Sequence, residues 1–113
     1  MAYDRPVTRK VVLREERSGI DKRNLWAWVD GKRRLHIDGQ DLGPGTRSVS
    51  DDGEYEWTWM IEASDLPRLL ELLGGNEQVD VLDFLEERYS GEGSYELERI
   101  LGHGDTPASF ARW

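Results

Sequence analysis

The sequence predicts an α+β fold, a four-stranded antiparallel meander followed by three short helices packed on one face. Two observations carry this. Strand-like stretches with a period of two fill the first half, and leucine-rich stretches with helical spacing fill the second. The two kinds of segment do not alternate, which favours segregated layers over a parallel βαβ arrangement.

Lys10 to Arg17 reads as the first strand, and Ser18 to Arg23 as a turn-rich connection. Leu25 to Val29 is the second strand. Asp30-Gly31 follows, a pair suited to the positive φ angles of a two-residue type I′ hairpin turn. Arg34 to Asp38 returns as the third strand. The glycine-rich run Gly39 to Gly45 then predicts departure from regular structure. Asp51-Asp52-Gly53 is a second turn signal. Glu54 to Ile61 is the clearest strand, with Tyr55, Trp57, Trp59 and Ile61 alternating against Glu54, Glu56 and Thr58.

Ser64 is a suitable N-cap for a first helix, in which Leu66, Leu69, Leu70 and Leu73 share one face before Gly74-Gly75 ends it. Asn76 can cap a second helix running to Tyr89. Ser94 opens a third, which ends at Leu101. Thr106-Pro107 is expected to form a last turn that brings Phe110 and Trp113 back onto the body. The domain is expected over 10–113, with residues 1–9 as a loose, polar leader.

Composition excludes several function classes. The chain has 113 residues, no cysteine and a net charge of −8. Thiolate catalysis and thiolate metal sites are absent, and an acidic surface repels phosphate backbones, so no nucleic-acid partner is expected. Apolar runs are too short to span a membrane, and no signal-peptide pattern follows Met1, which predicts a cytoplasmic protein with no membrane partner. No nucleophile elbow, P-loop or dinucleotide fingerprint is present, so no catalytic residue, cofactor or metal is assigned. His36 and Asp38 share one side of a strand, but two ligands do not close a metal site.

The candidate binding residues follow from strand parity. Leu25, Ala27, Val29, Leu35, Ile37, Trp57, Trp59 and Ile61 fall beneath the helices in the simplest assembly. Trp26, Trp28, His36 and Met60 then lie on the second face, where a solvated sheet usually carries polar residues. Two indoles there mark either a partner surface or a face covered within the fold by residues 39–53 or by the chain ends. Asp51, Asp52, Glu54 and Glu56 form an acidic edge suited to a basic protein, or simply to water.

The combination of Gly39 to Pro44, Glu54-Tyr55-Glu56-Trp57, Leu72 to Gly75 and Gly91 to Leu97 resembles a family of small actinobacterial proteins, across about residues 10–101. That resemblance implies a bacterial cytosolic domain and brings no functional residue with it. In size and acidity the chain is also similar to immunity proteins that neutralise bacterial toxins. The expected function is therefore a non-enzymatic protein-binding module of the immunity or antitoxin kind, monomeric or homodimeric. The alternative is a small-ligand or metal-binding domain using Trp26, Trp28, His36, Asp38 and Glu56.

Overall fold

The computed structural model describes residues 9–43 and 53–112. It is α+β: a five-stranded antiparallel sheet and three helices. The strands are β1 (Lys10–Ser18), β2 (Asp21–Val29), β3 (Leu35–Leu42), β4 (Glu54–Ile61) and β5 (Ser109–Arg112), and they neighbour one another in chain order. The helices α1 (Leu66–Leu72), α2 (Val81–Arg88) and α3 (Gly93–Leu101) lie between β4 and β5. The expected last turn is thus a fifth strand. Ser109 to Arg112 pairs with Met60 to Trp57, which sets Phe110 against the Trp59 ring, with centroids 4.6 Å apart. Trp113, Asp51 and Asp52 lie outside the described residues.

Side-chain parity follows the sequence pattern. Leu25, Ala27, Leu35, Ile37, Trp57 and Ile61 are buried against Leu69, Leu70, Leu73, Leu82, Phe84, Leu85, Leu97 and Leu101, with Val29 and Trp59 packed at the margin. Cross-strand partners share a face, so the register repeats that assignment on every strand. On β1 the alternation breaks at a bulge between Val12 and Arg14. Two consecutive side chains, Leu13 and Arg14, both turn inward and are buried.

Several element ends differ from expectation. Asp30 opens a five-residue loop in place of a two-residue turn, because Val29 pairs with Leu35. The Asp30 carboxylate accepts the backbone N–H groups of Lys32 and Arg34 at 2.8 and 2.9 Å and so organises the longer loop, whose left-handed residue is Arg33 (φ 66°). The true two-residue hairpin is Gly19-Ile20, with Gly19 at φ 66° between Ser18 and Asp21, which extends β1 by one residue and starts β2 four residues earlier than expected.

Likewise β3 runs on through Gly39 to Leu42. Gly39 faces Trp57 directly across the ladder, and a Cβ there would sit 2.2 Å from the indole. This glycine makes room for a neighbour and does not break the strand. Among the helices, Asp80 and not Asn76 caps α2, accepting the N–H of Asp83 at 2.9 Å, while Asn76 closes a local turn onto Gln78. A short 3₁₀ turn at Ala63–Asp65 precedes α1, so Ser64 is not its cap. Ser94 lies one residue inside α3, which starts at Gly93. Its buried hydroxyl donates to the Gly91 carbonyl and accepts from Arg14.

Arg9, expected to be loose, pairs with Asp80 and Asp83 at the start of α2. Among the described residues no helix is long and apolar enough to cross a membrane.

Candidate functional site

The sheet face opposite the helices gathers five of the seven candidate residues. Trp26, Trp28, His36, Glu54 and Glu56 all alternate with buried core positions and therefore point the other way. Their rows read across the ladder. Lys10, Trp28, His36, Met60 and Ser109 form one, and Val12, Trp26, Asp38, Thr58 and Ala111 form the next. Beyond them lie Asn24, Gln40 and Glu56, then Lys22, Leu42 and Glu54. The two indoles thus lie toward one end of the face, with Lys10 and Asp38 among them, and Glu54 and Glu56 toward the other. Glu54 and Glu56 bring the acidic residues of β4 to this same face. Asp51 and Asp52, expected beside them, are outside the described residues.

Trp28 is held in place on two sides. His36 stacks on it, with centroids 4.2 Å apart and planes 11° from parallel, and the indole Nε1–H donates to Asp38 at 2.8 Å. The Thr58 hydroxyl donates to the other Asp38 oxygen. His36 is fixed from its far side, where Nε2 lies 2.8 Å from the Asp30 carboxylate. Arg34 Nε donates to the same Asp30 oxygen at 2.8 Å. Burial by itself would raise the Asp30 pKa, but hydrogen bonds from His36, Arg34 and Lys32 outweigh it and hold the carboxyl well below the usual range. Trp26 carries a cation: Lys10 Nζ sits 5.1 Å from the centre of its ring. Gln40 donates to Glu56 at 2.9 Å.

His36 and Asp38 share the face but not a ligand set, since each is committed to a different neighbour. Among the described residues no group of three or more His, Asp or Glu side chains is placed to hold a metal ion. A shallow cleft on the β1–β2 hairpin is lined by Glu16, Arg17, Ser18, Asp21 and Arg23, and no tryptophan borders it.

A second polar cluster, on the helix side, escapes sequence reasoning. Glu98 of α3 accepts both Trp57 Nε1–H and Trp59 Nε1–H on one oxygen, at 2.6 and 2.7 Å. Its other oxygen lies 3.0 Å from Arg14 Nη2, an ion pair without aligned hydrogen-bond geometry. Arg14 also donates to Ser94 at 2.9 Å and stacks 3.7 Å over Tyr95, whose hydroxyl donates to Glu16. The cluster pins α3 to the sheet. It engages the N–H groups of Trp57 and Trp59 on the helix side, while Trp26 and Trp28 are the tryptophans on the outer face among the described residues. Only the bulge, which no residue pattern announces, brings Arg14 inward.

His103, the other histidine, is exposed, and its backbone N–H closes the end of α3 on the Ile100 carbonyl. Compared with protein-family models, curated proteins and solved structures, the chain matches none.

Proposed function

We propose that the protein is a non-enzymatic binding module whose outer sheet face engages a basic protein, in the manner of an immunity protein or antitoxin. The observation that carries this reading is the fixed pair Trp26 and Trp28 on the face turned away from the helices. A half-buried indole braced by a stacked imidazole and a carboxylate loses little freedom on binding, which suits a hot spot. Glu54 and Glu56 further along the same face, together with the net charge of −8, supply attraction for a cationic partner.

The test is capture from a native lysate at low and high salt, with the wild type beside Trp26→Thr/Trp28→Thr. The expected outcome is a basic protein retained by the wild type, more strongly at low salt, and lost with the double variant. No specific protein in either salt condition, or equal capture by both forms, contradicts the reading.

A further inference from the structure

Asp38 stands out on this face. Its two oxygens accept from Trp28 Nε1–H and the Thr58 hydroxyl, both neutral donors, and among the described residues no cation pairs with it. It lies directly across the ladder from Trp26. Lys10, a cation in the neighbouring row, rests on the Trp26 ring, 5.1 Å from its centre. An uncompensated carboxylate one strand away from an indole face, with Glu56 a row further on, is the arrangement that recognises a flat cation.

We infer that Trp26 and Asp38 form the seat for an arginine side chain of the partner, whose guanidinium stacks on the indole and pairs with the carboxylate, displacing Lys10. Arginine fits better than lysine, because a planar guanidinium can stack and hydrogen-bond at once, whereas an ammonium does one or the other. Lys10 then acts as a resident stand-in: it occupies the ring in the free protein and lowers affinity until the stronger cation arrives. The inference rests on the binding-module reading and adds the chemistry of the partner's anchor.

The probe is a short synthetic peptide carrying two arginines, titrated into the full-length protein and followed by tryptophan fluorescence. A citrulline peptide of the same length, which keeps the shape and loses the charge, is the comparison. The expected result is binding of the arginine peptide and at least tenfold weaker binding of the citrulline peptide. Asp38→Asn, which keeps an acceptor for Trp28, and Trp26→Leu each weaken the arginine peptide about tenfold, and Lys10→Met tightens it several-fold. Circular dichroism checks that each variant remains folded.

Equal affinity for the two peptides overturns the inference, as does indifference to both Asp38→Asn and Trp26→Leu. So does concentration-dependent self-association that occupies the face and excludes peptide. If peptides fail but lysate capture still depends on Trp26 and Trp28, the arginine seat is wrong and the module reading stands. If both fail, both are wrong.

Discussion

Single residues decide where this chain bends, packs and pairs. Gly39 is the plainest case. Any Cβ there would sit inside contact distance of the Trp57 indole, and that indole is anchored to Glu98 and cannot withdraw freely. Gly39→Ala is expected to cost about 2 kcal/mol by overpacking, seen as a fall in Tm of about 10 °C. Asp41 makes the opposite prediction. Burial raises its pKa despite the nearby Arg23, and its Oδ1 has no hydrogen-bond partner among the described residues. A carboxyl whose folded pKa exceeds its unfolded value favours folding while protonated and loses that contribution as pH rises through the folded value. Asp41→Asn is therefore expected to raise the unfolding midpoint at pH 7, with the gain vanishing below about pH 3, where both states of the wild type are protonated. A gain that persists at low pH would assign the effect to something other than charge.

At the scale of elements, four strands and three helices were legible from period and composition, while β5 read as a turn and the ends of the elements were not legible. The alternation of Glu54 to Ile61 and the spacing of Leu66, Leu69, Leu70 and Leu73 name their elements without help. Ends failed where one residue type serves two purposes. Gly39 reads as a breaker until its neighbour across the ladder is known, and Asn76 and Asp80 are equally good caps until one bonds an N–H. The face of the candidate site was legible, because parity alone separates Trp26 and Trp28 from Leu25, Ala27 and Val29. Its internal bonding was not, since Asp30 reaches His36 only through a five-residue loop. The attachment of α3 was hidden for a similar reason: it depends on a bulge that turns Arg14 inward. Glu98→Ala would strand the Arg14 charge and two indole N–H groups at a partly buried site (the Glu98 side chain is 18% exposed). The expected loss is about 3 kcal/mol in urea unfolding. A loss below about 1 kcal/mol would show that α3 is held by its leucines alone.

For the whole molecule, the account describes a sheet with two unlike faces. One is closed by leucine-bearing helices and tied by Glu98. The other presents two indoles, an imidazole and the carboxylates of Asp38, Glu54 and Glu56. If the proposed binding role holds, association with a cationic partner is expected at a rate that falls with ionic strength, because the charge acts on encounter more than on the final contact.

The most direct test of that division compares Trp26→Thr with Trp57→Thr in urea unfolding. Threonine suits a strand, so the comparison reads side-chain burial and not backbone preference. Trp57 is only 6% exposed, and its loss is expected to cost about 3–5 kcal/mol; Trp26 is half-buried on the outer face, and its loss is expected to cost about 1 kcal/mol. Equal, large losses at the two positions would place Trp26 in the core and remove the binding face from the account.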